Sequence, residues 1–308
     1  MKLVVMGPGG VGGYFGARLA AAGNDVTFVA RGAHLEAMRT HGLKLDSELG
    51  ALHVRPVVAV ADATEISAAD AIIFAVKLAD TEGAAERLRG LVATGATVFT
   101  FQNGVESAAR IGRLLGGANV VAGAARINAQ ISAPGVIRQQ GKFASLEFGE
   151  ADGRSSPRTA ALLAACKEAG IAASLSDDIA RTLWLKFAML APMSGLTALT
   201  RGPIGPVRAH PQSRRLIEAA VREAVAVGIA QGARLQSADA DAIIKAIDGL
   251  HPAMMASMCH DLLAHKPLEL AGLSGALVRL GASTGVPVPT HTFITQALSP
   301  FADGKPSL

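Results

Sequence analysis

A glycine-rich hexapeptide near the amino terminus, Gly7-Pro8-Gly9-Gly10-Val11-Gly12, constrains this chain more than any other segment. It follows a short apolar run, Lys2–Met6, and opens residues 12–22, whose Ala17, Leu19, Ala20 and Ala21 suit a helix stopped by Gly23-Asn24. Strand, glycine loop and helix in that order are the context a dinucleotide-binding loop requires. Its first glycine permits the tight turn, its second lets a pyrophosphate approach the backbone, and its third lets helix and strand pack closely. The helix start then offers unpaired N–H groups and a partial positive charge to phosphates. Gly7, Gly9, Gly10 and Gly12 are therefore candidate cofactor-binding residues. The bland alternative is a glycine-rich turn with no ligand.

The same alternation of strand and helix continues along the first half of the chain. Residues 25–30, 71–76, 97–101 and 120–124 are β-branched or apolar throughout, as in strands buried on both faces of a parallel sheet. Helical segments separate them, so the expected fold is an α/β, Rossmann-type N-terminal domain. Residues 136–140 and 145–148, split by Gly141-Lys142, read as an edge hairpin. Residues 158–169 read as a helix and 171–175 as a returning strand. After residue 176 strand signals stop, and Ala/Leu-rich helices over 179–193 and 213–231 take over. Pro252 and Pro267 stand where first helical turns would begin, and Gly285 with Pro287 and Pro289 ends the helix that starts at Pro267. The expected division is residues 1–176, NADP-binding, and residues 177–308, an all-helical substrate and catalytic domain.

Composition narrows the classes. Half of the 308 residues are hydrophobic and 18% are charged, which suits a globular core and excludes disorder. The net charge of +4 is scattered, with no basic face and few aromatics, so no nucleic-acid partner is expected. A mild positive field still favours an anionic cofactor or substrate. Two distant cysteines, Cys166 and Cys259, read as buried thiols of a reducing cytoplasm, and no metal site is expected. No signal segment or membrane span is expected either. Monomer and homodimer remain equally open.

The second strand ends Val29-Ala30-Arg31-Gly32, with no acidic residue to bond a ribose 2′-hydroxyl. Arg31 can instead pair with a 2′-phosphate, which favours NADPH over NADH. Reduction of a carbonyl also needs a proton donor. Tyr14 falls in the phosphate-binding helix, and the histidines show no partner arrangement. Lys186 sits inside the apolar stretch Trp184-Leu185-Lys186-Phe187-Ala188. It is either a snorkelling stem or a lysine aimed into a cleft.

With these pieces in register, the chain resembles the ketopantoate reductase family over nearly its whole length. The matching segments are GPGGVG, Arg31, FAVKLADTE with Lys77, FQNGVES with Asn103, SAPGVI, WLKFA with Lys186 leading into GLTALTRG, and SMCHDLLAHKPLELAGLSG with Ser257 and Glu269. The resemblance implies NADPH-dependent reduction of a 2-oxo acid to a 2-hydroxy acid, foremost ketopantoate to pantoate in pantothenate biosynthesis. It implies that Lys186 is the general acid and that Lys77 and Asn103 lie beside the nicotinamide. Asn103 would contact both cofactor and substrate, and Ser257 would bond the substrate. Glu269 would reach the active site and contact cofactor or substrate. It falls in the first turn after Pro267, where a helix start stabilises a carboxylate; the bland alternative is a capping carboxylate.

The departures fall on the substrate side. Members that reduce ketopantoate carry asparagines one and two turns after the catalytic lysine, on the same helical face. Here those places hold Leu190 and Ser194, with Ser194 the remaining substrate-binding candidate. Met254 stands where a third asparagine is expected, and Pro192 interrupts the helix. Each polar substrate group left unpaired would cost about 1–3 kcal/mol. A different, less polar carbonyl acid is therefore the competing substrate. A non-catalytic NADP-binding regulator is the alternative from another class, although a sensor needs neither Lys186 nor Glu269. Enzymes like 6-phosphogluconate or 3-hydroxyacid dehydrogenases share the two-domain plan but fit NGVES and WLKFA less well.

Overall fold

A computed structural model describes residues 1–304. They form two compact units, Met1–Gln102 with Glu106–Ile179, and Asn103–Val105 with Ala180 onward. The strands of the first unit are β1 (Lys2–Met6), β2 (Asp25–Val29), β3 (Leu43–Ser47), β4 (Leu52–Val54), β5 (Val58–Val60), β6 (Ala71–Phe74), β7 (Thr97–Thr100), β8 (Val120–Ala133), β9 (Val136–Gly149) and β10 (Ala172–Leu175). Its helices are α1 (Gly10–Ala21), α2 (Gly32–His41), α3 (Thr81–Glu86), α4 (Arg89–Ala93), α5 (Ser107–Leu115) and α6 (Pro157–Glu168).

The strands form one sheet in the order β4-β3-β9-β8-β7-β6-β1-β2-β5, with β10 also on β9. From β8 to β5 every pairing is parallel. The apolar runs are explained by burial on both faces. Side chains alternate along a strand, so Leu3, Val5, Phe28, Ile73 and Phe99 enter one core beneath Phe15 and Leu19 of α1. Val4, Met6, Val29, Ile72, Phe74 and Val98 enter the other, against Leu88, Leu91 and Ile111.

The far side of the sheet differs from the sequence expectation. The sheet is mixed there: β9 runs antiparallel to β8, and β4 antiparallel to β3. Gly141-Lys142 is not a hairpin turn. The chain reverses instead at Pro134-Gly135, between two strands of 14 residues each. Ile127 pairs with Ala144 and Asn128 with Gln140, so Gly141, Lys142 and Phe143 bulge out of β9. The bulge lies where β9 changes its other neighbour, from β3 at Val136–Gln139 to β10 at Ser145–Phe148. Gln139, buried to 2%, secures it by donating to the carbonyls of Gln140 and Gly141 at 2.9 and 2.5 Å. Strands β3 to β5 carry no strong sequence signal because they are short and partly exposed, so no continuous buried apolar run marks them.

The second unit is helical: α7 (Ile179–Thr200), α8 (Ile204–Ala209), α9 (Pro211–Ala230), α10 (Ser237–Asp248), α11 (Ser257–Leu263), α12 (Ser274–Thr284) and α13 (Pro289–Leu298). Helix α7 runs a further two turns beyond the expected end and passes through Pro192. Proline removes one backbone hydrogen bond, but every residue from Ala191 to Ala198 is buried, and this packing carries the helix on. By length and composition α7 could cross a membrane, yet 67% of its apolar window is buried within the chain, as in a core helix. Neither Pro252 nor Pro267 opens a helix. Pro252 lies in a turn before α11, and the helix expected from Pro267 begins only at Ser274, after a 3₁₀ turn at Leu270–Gly272. It ends as expected at Gly285, in the left-handed conformation.

Two groups on α9 fasten α13. The Glu223 carboxylate accepts the N–H groups of Thr290 and His291 at 2.9 and 3.0 Å, capping the helix start. His291, fully buried, donates from Nε2 to the Ala220 carbonyl at 3.0 Å, which leaves Nδ1 to accept from the Ser274 hydroxyl at 3.1 Å. Burial pulls its pKa below the usual 6.5, against smaller opposing effects of the Ala220 carbonyl and the Glu223 carboxylate. The unfolded chain therefore binds this proton first as the pH falls. The stabilisation is complete above about pH 6.5 and is lost toward the lower native value, at up to about 1.4 kcal/mol per pH unit. The chain's single tryptophan, Trp184, is buried in this unit and reports its unfolding. The urea midpoint of Trp184 fluorescence is expected to drop between pH 7 and 5.5. His291→Asn should lower the midpoint at pH 7 and flatten that dependence.

Candidate functional site

In the first unit, β6, β1 and β2 are neighbours and parallel, so the segments leaving their carboxyl ends share one edge. This is where ligands bind to open α/β sheets. Gly7 leaves β1 at φ +86°, and a Cβ there would come within 2.8 Å of Val76. A Cβ on Gly12 would lie 2.4 Å from the Gly7 carbonyl oxygen, so helix and strand touch as the third glycine of the loop requires. Gly9 faces open space, with nothing within 4 Å of a Cβ position. Helix α1 starts there with no side-chain cap, so the amides of Gly10, Val11 and Gly12 have no intrahelical acceptor. The loop thus fits a pyrophosphate. Gly10 has a second reason to be glycine: a Cβ would stand 2.0 Å from the Ala129 carbonyl oxygen of β8.

Arg31 follows β2 as the N-cap of α2 and is largely exposed. Its guanidinium lies 3.8 Å from the carboxylate of Asp80, in the short turn after β6 that begins at Lys77. Lys77 is exposed on the same edge. The sequence alone does not single out Asp80, because only the fold brings the ends of β2 and β6 to one edge. His34 escapes sequence reasoning for the same reason. On α2, its Nε2 donates to the Pro8 carbonyl at 3.0 Å, and its Nδ1 accepts the Gly135 N–H at 3.0 Å. Burial lowers its pKa, with the Pro8 carbonyl acting the other way.

In the second unit, three residues far apart in sequence form a hydrogen-bonded chain. The Lys186 ammonium donates to Asn103 Oδ1 at 3.0 Å, and Asn103 Nδ2 donates to Glu269 Oε2 at 3.4 Å. The two charged ends fix the amide's orientation, because an ammonium only donates and a carboxylate only accepts. Lys186 projects from α7 beside the buried Trp184 and Phe187, and is itself half-buried. Residues 103–105, which leave β7, belong to this unit, and Gly104 approaches the Gly272 carbonyl. Glu269 is placed differently from the expectation. It precedes a 3₁₀ turn rather than sitting in the first turn of a helix, and its side chain makes no capping hydrogen bond there. It accepts from the Asn103 amide instead.

The remaining substrate-side candidates are not part of that chain. Ser257 is exposed at the first position of α11. Ser194 is fully buried, and its hydroxyl has no hydrogen-bond partner among the described residues. Leu190, one turn beyond Lys186, and Met254 are half-buried against the helical core.

Comparison with known proteins shows the family. Residues 3–153 match the family model described as ketopantoate reductase PanE/ApbA, and residues 178–302 match its C-terminal counterpart. A 2-dehydropantoate 2-reductase of Mesorhizobium japonicum is 32% identical over 94% of each chain. The crystal structure of a PanE/ApbA family ketopantoate reductase from Ralstonia eutropha superposes with a TM-score of 0.89 at 30% identity, covering 98% of both chains. That of 2-dehydropantoate 2-reductase from Geobacter metallireducens gives 0.91 at 27% identity, covering 97% of this chain and 99% of the other. The fold and site define a two-part oxidoreductase with a dinucleotide loop and a lysine-centred polar chain. This chain belongs to the ketopantoate reductase PanE/ApbA family.

The two adjacent glycines should respond in opposite ways to a methyl group. Gly10→Ala must move β8 or the loop, and is expected to destabilise the protein by about 1–3 kcal/mol or more. Gly9→Ala meets open space at φ −76° and should cost less than about 1 kcal/mol, while weakening dinucleotide binding. Calorimetry of the two variants, with a dinucleotide titration of Gly9→Ala, checks both.

Proposed function

We propose that this chain reduces 2-oxo acids to 2-hydroxy acids with NADPH, and that ketopantoate is its first substrate to test. The observation that carries this reading is the Lys186–Asn103–Glu269 chain in a member of this family. A bound nicotinamide would supply the hydride to the carbonyl carbon. Lys186 holds the proton that the carbonyl oxygen takes up as negative charge develops on it. Asn103 keeps the ammonium in place through Oδ1, and Glu269 keeps the amide from flipping by accepting from Nδ2. One hydride and one proton convert the ketone to an alcohol, and the lysine is restored by a proton from water.

The uncapped backbone amides of Gly10 and Val11, next to the open space at Gly9, support pyrophosphate binding. The preference for NADPH rests on Arg31, whose exposed guanidinium can pair with a 2′-phosphate. Asp80 opposes it, because the carboxylate that holds Arg31 at 3.8 Å would repel the phosphate dianion. Arg31→Ala is expected to raise the KM for NADPH by roughly tenfold or more and leave that for NADH nearly unchanged. Asp80→Asn should move the ratio the other way, by a few-fold. Steady-state kinetics with both nucleotides measure the two effects.

A second substrate reading rests on α7. Leu190 occupies the turn after Lys186, and the Ser194 hydroxyl is sealed in the helical core. Beyond Lys186, this face offers a substrate little hydrogen bonding. That supports a 2-oxo acid with a less polar side chain than ketopantoate. NADPH oxidation is expected with ketopantoate or, failing that, with branched or aromatic 2-oxo acids. Lys186→Ala should lower kcat by about 10²-fold or more while NADPH still binds. Turnover with none of these acids, despite tight NADPH binding, would overturn the reductase reading.

A further inference from the structure

We propose that His34 is a positioning residue for the dinucleotide pyrophosphate, acting through the peptide between Pro8 and Gly9. The proposal rests on the dinucleotide reading of the glycine loop. Both ends of that peptide are held. Its carbonyl accepts Nε2–H of His34 at 3.0 Å, and its N–H donates to the Gly7 carbonyl at 2.8 Å. A peptide group is planar, so fixing its two polar ends fixes its orientation. The next two amides, Gly10 and Val11, have no acceptor within α1, and Gly9 beside them leaves open space. These are the amides that a pyrophosphate would take.

The imidazole is itself aligned by its other nitrogen. Gly135 N–H donates to Nδ1 at 3.0 Å, so Nδ1 carries the lone pair and Nε2 carries the proton that Pro8 accepts. Gly135 is the turn between β8 and β9, at φ +74°, and a Cβ on it would lie 3.1 Å from Ala37 on α2. The same hairpin presses the Ala129 carbonyl against Gly10. His34 thereby joins three segments, the glycine loop, α2 and the hairpin turn, at the point where the phosphate-binding amides emerge. Nothing in the reduction chemistry uses this ring.

Two substitutions separate the two arms of the imidazole. The amide of His34→Gln reaches the Nε2 position and keeps a donor for Pro8. The shorter amide of His34→Asn keeps an acceptor for Gly135 and loses Pro8. Dissociation constants for NADPH and NADH are read by the quenching or enhancement of dihydronicotinamide fluorescence. His34→Asn is expected to weaken both nucleotides roughly tenfold, since both carry the pyrophosphate, with their ratio preserved. His34→Gln should stay within about threefold of the parent protein. Unchanged affinity in His34→Asn, equal loss in both variants, or a loss confined to NADPH would each overturn the proposal. A parent protein that binds neither nucleotide would overturn the dinucleotide reading itself and the proposal with it, a result distinct from the other three.

Discussion

Successive residues of β1 point into two different cores. Leu3 and Val5 enter the one roofed by α1, and Val4 and Met6 enter the one closed by α3, α4 and α5. Each such side chain is worth about 1.5–3 kcal/mol when fully buried, and the strand cannot shift by one residue without exchanging both sets. That fixes where β1 stops and therefore where the chain must turn. The turn falls on Gly7, whose positive φ and contact with Val76 exclude a side chain. Helix α1 can then begin at Gly10 with its first amides uncapped by any side chain. The phosphate-binding geometry is in this sense a by-product of core packing.

Most of that logic is legible in the sequence because it is local. A five-residue apolar run, a glycine loop and a small-residue helix are contiguous, and their spacing alone names the supersecondary unit. The β8–β9 ribbon is harder to read because its cues compete. Gly141-Lys142 looks like a turn, but the chain uses glycine there to bulge out of a strand whose neighbours change from β3 to β10. A bulge and a turn ask the same of a residue, and only the partner strands distinguish them. Pro267 misleads for a related reason. Proline suits the first turn of a helix, but it suits an extended approach to a 3₁₀ turn equally well. Glu269 consequently has no helix start to cap and bonds the Asn103 amide.

The polar chain of the second unit shows where reading residues in order stops. Asn103 is 83 residues from Lys186 and 166 from Glu269. No periodicity joins them, and only the family resemblance brings them together. Physically the trio is self-consistent. A lysine ammonium in an apolar helix needs an acceptor, a carboxylate needs a donor, and one amide serves both in a single orientation. Removing either charged end would remove one of the two bonds that orient the amide within this chain.

The two halves of the proposed reaction accordingly make different demands on sequence. As proposed, nucleotide binding would rest largely on backbone amides and the absence of side chains, at Gly7, Gly9 and Gly12, with Arg31 and Asp80 adjusting the preference. Proton delivery, as proposed, would draw on three specific side chains. The rest of the helical face, Leu190 and Met254 among it, enters neither requirement, although both side chains pack against the helical core. On the proposed reading, substrate choice would rest on that face. Membership of the family thus fixes the cofactor class and the type of reaction more firmly than it fixes the acid being reduced.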